Sequence, residues 1–322
     1  LRRNPDYKWG PEFYTPVVDA SVDQITFKFF TEPATRAPAL EAGEVAVMGE
    51  LSPVDARSFS GNGDIRLIPQ TVPGLPTQWF FNTGRAPTDA LEVRQALLYA
   101  TNRASVVEAV FQEFAPVAYG PLTASTPYYS PDVQKLYAYD MDRATQLFKT
   151  KGWELKDKKL VKGGQPMKLV MVVPRWGFHP EIAQKLQSVW KDLGIELELR
   201  VVPNLAGVLA EQQKGDYNLI AFNDSGVDAS VLNRFYLSNS TSNWTGYKNP
   251  ELDSWISNAT QTIDDTKRAE FYAKIQKRIM EQALILPIRD TVNLNGAKTS
   301  INGLSYDSYG WFPLLSNLTV SE

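Results

Sequence analysis

Apolar and polar positions along the chain fall into two spacings, and these divide it into strands and helices. Residues 22–30 alternate, with Val22, Ile25, Phe27 and Phe29 able to share one surface, which predicts a strand. Pro33 opens a predicted helix, with Thr31 before it as N-cap and Gly43 ending it in a left-handed conformation. Short strands are predicted at 45–48, 65–70 and 77–82, with a helix at 53–59 and a Pro73-Gly74 turn between the last two strands. Residues 89–113 have helical spacing: Val93, Ala96, Leu97 and Ala100 form one stripe, and Val106, Val107 and Val110 continue it past a junction at Asn102. Residues 1–20 and 115–139 carry prolines and aromatics without a period and are expected as loops.

The middle of the chain has the plainest pattern. Asp140 caps a predicted helix that Gly152 stops, and a strand follows at 167–173. A helix at 180–193 carries Ile182, Ala183, Leu186, Val189, Trp190 and Leu193 on one side, and Gly194 and a strand at 195–202 come next. Strand, helix and strand of these lengths predict a right-handed parallel crossover. A further helix at 205–213 and strand at 217–223 extend this into an α/β unit with a mainly parallel sheet. Helices at 251–260 and 266–282, a return strand at 284–287, and short strands and turns over 290–322 complete the chain.

The 322 residues correspond to about two domains at roughly 150 residues each. Hydrophobic residues make up 43% and charged residues 21%, enough for a sizeable core without staples. The net charge is −3 with a pI near 5.5, so no global basic field exists to attract phosphate backbones, and a nucleic-acid partner is not expected. No apolar run reaches the roughly 18 residues of a membrane span. Cysteine is absent and His179 is the single histidine. This removes thiolate chemistry, disulfides, Cys-based metal sites and any paired-histidine motif, and no cofactor is expected. A cysteine-free chain suits an exported protein. The opening Leu1-Arg2-Arg3-Asn4 reads like the interior of a longer protein, so the chain is expected to be a piece of one.

Few motifs carry chemistry. Gly61-Asn62-Gly63 begins like a dinucleotide fingerprint, but Arg66 stands where the third glycine belongs, and the segment reads as a turn. His179, just before Pro180, is expected to serve helix entry or the surface. Asn223, Asn239, Asn243, Asn258 and Asn317 each begin an Asn-x-Ser/Thr triplet, common in Ser/Thr-rich loops. Trp79, Trp176, Trp244 and Trp311 lie outside the predicted helices and compete between lining a cleft and local packing. Trp176 follows the carboxyl end of a predicted parallel strand, where open α/β sheets bind ligands. Asp224 and Asp228 follow the next such strand. Either could hold a cationic group by a charge-assisted hydrogen bond, or cap a turn or helix.

An ordered set of segments then adds up. It runs Asn4-Pro5-Asp6-Tyr7, Val22-Asp23-Gln24-Ile25-Thr26-Phe27, Ala39-Leu40-Glu41-Ala42-Gly43-Glu44-Val45, and Phe80-Phe81-Asn82-Thr83 with Ala86-Pro87. It continues through Val93-Arg94-Gln95-Ala96-Leu97, Ala100-Thr101-Asn102-Arg103, Tyr139-Asp140, Gly152-Trp153, Leu193-Gly194-Ile195 and Gly246-Tyr247-Lys248-Asn249-Pro250-Glu251-Leu252-Asp253. Over essentially its whole length the chain resembles the family 5 extracellular solute-binding proteins of ABC importers, the oligopeptide- and dipeptide-binding type.

The resemblance implies an α/β, periplasmic-binding-protein-like fold of two lobes with mixed sheets and flanking helices, lobe I being incomplete. Residues 1–95 would belong to lobe I, 96–285 would form lobe II, and 286–322 would return to lobe I, with crossings near 83–89 and 285–287. The implied function is capture of an extended small ligand, a peptide first, in the cleft between lobes, and delivery to a membrane ABC permease, without catalysis. The protein would act as a monomer in the periplasm or outside the cell, with a lipid anchor on a preceding segment as one arrangement. Family peptides are held at the amine by an aspartate in a Trp-x-x-Asp-Tyr-x-Asp/Glu-Pro pattern. Here the segment is Ala221-Phe222-Asn223-Asp224-Ser225-Gly226-Val227-Asp228, which puts Asp224 at the amine position or, with a gap, aligns Asp228 with the later acid. Trp79, Phe81 and Asn82 would line the lobe I wall and Trp176 the lobe II wall. An oligosaccharide receptor is the alternative within the family, nickel being disfavoured by the single imidazole. A glycoside hydrolase using two carboxylates is the alternative outside it.

Overall fold

The structure, a computed structural model, describes residues 1–6, 22–315 and 317–321. The loop expected over 1–20 therefore lies mostly outside the described residues, as does Tyr7. In chain order the elements are α1 (Arg36–Glu41), β1 (Val47–Met48), α2 (Pro53–Ser58), β2 (Ile65–Thr71), β3 (Gly74–Phe81), α3 (Leu91–Tyr99), α4 (Arg103–Phe111), α5 (Met141–Thr150), β4 (Glu154–Lys156), β5 (Lys159–Lys162), β6 (Gln165–Pro166), β7 (Lys168–Pro174) and α6 (His179–Asp192). They continue with β8 (Glu196–Val202), α7 (Leu205–Lys214), β9 (Leu219–Ser225), α8 (Val231–Tyr236), α9 (Pro250–Gln261), α10 (Asp265–Glu281), β10 (Ile285–Arg289), β11 (Val292–Lys298), β12 (Ile301–Asn302), β13 (Ser305–Tyr306), β14 (Pro313–Leu314) and β15 (Thr319–Val320).

Helix starts follow local side-chain chemistry. Ser52, Asn102, Asp140, Asn204, Asn249 and Asp264 each accept a hydrogen bond from a first-turn backbone N–H of the helix that follows, satisfying a donor that has no partner within the helix. Gly194 is required for a different reason. At φ +81 it packs against the Lys159–Leu160 backbone, and a Cβ there would fall 2.6 Å from the Leu160 nitrogen. Leu160 N in turn donates to the Gly194 carbonyl at 2.9 Å, which pins the β4–β5–β6 meander under the turn.

Two compact units result. The first comprises residues 1–72 and 292–322, the second 73–291. The units group the chain differently from the expected segments: β3, the first turn of α3, and most of β10, which fall within 1–95 and 286–322, all lie in the second unit. In the first unit β11 is the middle strand, antiparallel to β1 on one side and to β2 on the other, with Val292 opposite Thr71 and Lys298 opposite Ile65. The strand expected over 22–30 is not formed. Gln24 makes one isolated bridge to Arg2, and Phe27 and Phe29 are 54% and 92% exposed, so the apolar alternation has no partner surface among the described residues.

The second unit is built on a five-stranded sheet in the order β10-β3-β9-β7-β8. β7 runs parallel to β8 and β9, while β3 is antiparallel to both β9 and β10. The expected parallel crossover is present as β7–α6–β8, but the sheet is mixed, not mainly parallel, because the two strands contributed by the ends of the unit run the other way. β3 is buried along its whole length. On one face Phe80 stacks with Phe235 and meets Trp244, and Trp244 also meets Phe222. On the other face Trp79 meets His179 of α6. Such burial of large apolar surface is the main stabilising term in the core.

Two buried arginines tie this core together. Arg94 donates to the carbonyls of Thr88, Asp89, Gln282 and Ala283, joining the start of α3 to the end of α10. Arg103 donates to the carbonyls of Ala118, Leu136 and Tyr137, fixing the long loop before α5. Each guanidinium thus replaces lost hydration with carbonyl acceptors, which is the condition for burying a charge.

Candidate functional site

Strand direction gathers the chemistry of the second unit at one edge of its sheet. The carboxyl ends of β7, β8 and β9 lie there, with the amino end of β3 and the carboxyl end of β10 beside them. Open α/β sheets bind ligands at this kind of edge because loops, not ladder, supply the free polar groups. Five segments meet at it: residues 174–178 leading from β7 into α6, Asn223–Asp224–Ser225, Gly74–Leu75, residues 122–126, and Arg289–Asp290–Thr291. Residues 122–126 tie to two of the others, since Thr123 N donates to Gly74 O and Ala124 N to Asp290 Oδ2, both at 2.9 Å.

Asp224 stands on β9 opposite Leu75. Its side chain is 27% exposed and pairs with Arg234 Nη1 at 3.2 Å; Arg234 itself is 55% exposed. Burial holds the Asp224 carboxyl above the usual carboxylate range, and the Arg234 charge pulls it back. Asp224 is therefore a partly desolvated acid whose one cationic partner is largely in water. Asp228 differs. Its Oδ1 accepts from Ser230 N at 2.8 Å and from Arg268 Nη2 at 2.9 Å, so it caps a turn and holds α10.

Gly74 sets the position of Asp224. Its φ is +120, and a side chain there would collide with the Asp224 carbonyl and the Gly226 amide. Only a residue without Cβ lets β3 approach the end of β9 this closely.

The expected aromatic wall is distributed along β3. Trp79 has no exposed surface, meets the His179 ring edge-on with centroids 6.0 Å apart, and its Nε1 has no hydrogen-bond partner among the described residues. Trp176 is partly buried at the sheet edge, its ring 6.4 Å from His179. Phe81 is opposite Leu219, at the far end of β3 from Asp224, and is fully buried. Asn82 lies beyond it, donating through Nδ2 to Gly215 O and Tyr217 O at 3.1 Å and accepting Gly84 N at 2.9 Å. The structure thus brings Asp224 and Trp176 to one edge and sets Trp79 behind them, while the side chains of Phe81, Asn82 and Asp228 are taken up by the fold.

His179 is at the helix entry, as expected, but it is not on the surface: it has no exposure. Gly177 and Phe178, both with left-handed φ, turn the chain so that the imidazole folds under the loop. Nδ1 is 2.6 Å from the Trp176 carbonyl, which makes Nδ1 the protonated nitrogen and leaves Nε2 an acceptor; Nε2 has no partner among the described residues. Burial pushes its pKa down to about 4, and Arg289 adds to this.

Sequence reasoning missed the end of β10. Arg289 is 6% exposed, its guanidinium carbon 4.0 Å from the centroid of the Phe111 ring, and burial lowers its pKa to about 10. Asp290 is 8% exposed and burial pushes its carboxyl up to about 6. The signal was available: an Arg-Asp pair directly after the apolar run 283–288 places two charges where a buried strand ends. No group of three or more potential metal ligands occurs among the described residues, and no helix there is long and apolar enough to cross a membrane.

An α/β sheet edge with a partly desolvated acid is the setting in which open α/β folds place ligands. Residues 1–246 match the model of the bacterial extracellular solute-binding proteins, family 5 Middle, and the chain belongs to that family. The nickel-binding periplasmic protein of Escherichia coli is 25% identical over 317 residues, covering 94% of this chain and 58% of that protein. The dipeptide-binding protein of Pseudomonas aeruginosa is 25% identical over 321 residues, covering 96% and 56%. Among solved structures, NikA from Brucella suis in complex with Fe(III)-EDTA superposes with a TM-score of 0.87 at 23% identity, over 99% of this chain and 65% of that one. The chain thus spans between about half and two thirds of the length of these relatives.

Proposed function

We propose that the chain is the larger part of a substrate-binding component of an ABC importer that captures short peptides outside the cytoplasm and delivers them to a membrane permease, without chemically altering them. Asp224 carries the reading. It is a half-buried carboxylate at the carboxyl end of β9, with a water-exposed counter-ion that a ligand ammonium can replace. The named relatives include a dipeptide-binding protein and a nickel-binding one. Peptide is favoured over nickel because the sole imidazole is buried against a carbonyl. A glycosidase pair is not offered by Asp224 and Asp228, since Asp228 is already held by Arg268.

The test is calorimetry of Ala-Ala and N-acetyl-Ala-Ala against wild type and Asp224→Asn. A charge-assisted bond to a partly desolvated acid is worth about 1–3 kcal/mol. Ala-Ala is expected to weaken by that amount in the variant, and the acetylated peptide to bind both proteins alike. Equal Ala-Ala affinity for the two proteins refutes the amine role.

A further inference from the structure

Three arginines of the second unit are buried, and two of them, Arg94 and Arg103, donate to backbone carbonyls as described above. Arg289 does not. Its Nε has no partner, no carboxylate lies within 4.0 Å of its guanidinium, and no carbonyl accepts from it among the described residues. Stacking on Phe111 covers one face of the cation but leaves its N–H groups, which lie in the guanidinium plane, without acceptors. The neighbouring acid, Asp290, is engaged with Ala124 N. Close by are two more buried polar atoms without partners, His179 Nε2 and Trp79 Nε1. All of this sits at the ligand edge of the sheet, where Arg289 is opposite Thr77 on β3, the strand that also faces Asp224.

We propose that Arg289 is a ligand-binding residue that receives a carboxylate. The proposal rests on the peptide reading for the ligand it names, and deepens it. One cation without a second in contact fits one negative charge, and a planar guanidinium fork fits a carboxylate in two parallel hydrogen bonds. Two strand spacings and two residues along the strand separate Asp224 and Arg289 by roughly 12 Å between Cα atoms. Asp224 pairs with Arg234 of α8 and Arg289 stacks on Phe111 of α4, on the other face of the sheet, so a ligand held by both would pass over the amino end of β3.

The experiment follows thermal unfolding of the protein with propionate, against chloride at equal ionic strength, and calorimetry with Ala-Ala and Ala-Ala amide. Wild type, Arg289→Gln and Arg289→Lys are compared. Propionate is expected to raise the wild-type midpoint and to have no effect on Arg289→Gln. Ala-Ala is expected to bind wild type about tenfold to a hundredfold more tightly than its amide, a preference lost in Arg289→Gln. A propionate effect no larger than that of chloride, or one unchanged in Arg289→Gln, overturns the proposal. If propionate depends on Arg289 but neither peptide binds wild type, the anion site stands and the peptide reading fails. Should Arg289→Gln not fold, Arg289→Lys decides: it keeps the charge and loses the fork, so its propionate shift must shrink, and an undiminished shift overturns the proposal.

Discussion

His179 and Asp290 give the stability of the second unit two opposed dependences on acid. His179 titrates near 6.5 when unfolded and at about 4 when folded. Between those values the unfolded chain holds a proton that the folded chain refuses, so stability falls as the pH drops from 6.5 to 4. Asp290 titrates near 3.8 unfolded and at about 6 folded. Between those values the folded chain holds the extra proton, so stability rises as the pH drops from 6 to 3.8. At 1.36 kcal/mol per tenfold change in proton affinity, each amounts to about 3 kcal/mol, and in wild type they largely cancel. Removing one exposes the other. Asp290→Asn keeps an acceptor for Ala124 N and is expected to lose about 3 kcal/mol more than wild type between pH 6.5 and 4. His179→Gln keeps a donor for the Trp176 carbonyl and is expected to lose about 3 kcal/mol less. Urea unfolding at a series of pH values measures both. If the two variants and wild type trace parallel curves, the burial argument for these groups is refuted.

Two further substitutions test the site's supports. Gly74→Ala forces a side chain into a positive-φ position against the end of β9; a loss of about 1–3 kcal/mol from conformation alone is expected in the denaturant midpoint, along with weaker amine binding as Asp224 shifts. Asp228→Asn breaks the Arg268 pair and is expected to cost up to about 1 kcal/mol of stability while leaving Ala-Ala affinity at the wild-type value, which calorimetry beside Asp224→Asn resolves.

Elements with local signatures were legible in the sequence, and those that depend on distant partners were not. Asp140 caps a helix where its side chain predicts it, Asn102 marks the expected junction and caps α4, and the β7–α6–β8 unit follows from apolar periodicity bounded by Gly194. The alternation at 22–30 made no strand, because period alone does not supply a neighbouring strand. The β4–β5–β6 meander and α8 are too short to register as patterns. Asp224 and Trp176 lie at the sheet edge that their place after parallel strands predicts. Phe81 and Asn82 lie at the opposite end of β3 from Asp224, because β3 is antiparallel to β9, and strand direction is not legible in the sequence. Arg289 was missed although it follows the apolar run 283–288, because its buried guanidinium's lack of acceptors is visible only in the fold.

The ladders also determine how the chain could be cut. Thr71 and Val292, the last ladder residue before the second unit and the first after it, are partners in register on neighbouring strands β2 and β11. Partners in an antiparallel ladder have Cα atoms only about 5 Å apart. Excising residues 72–291 therefore leaves two ends that a short hairpin turn can rejoin without altering a single rung. The removed segment likewise carries its own adjacent ends, since β3 and β10 pair with each other, so one unit is nested in the chain of the other as an insertion between neighbouring rungs.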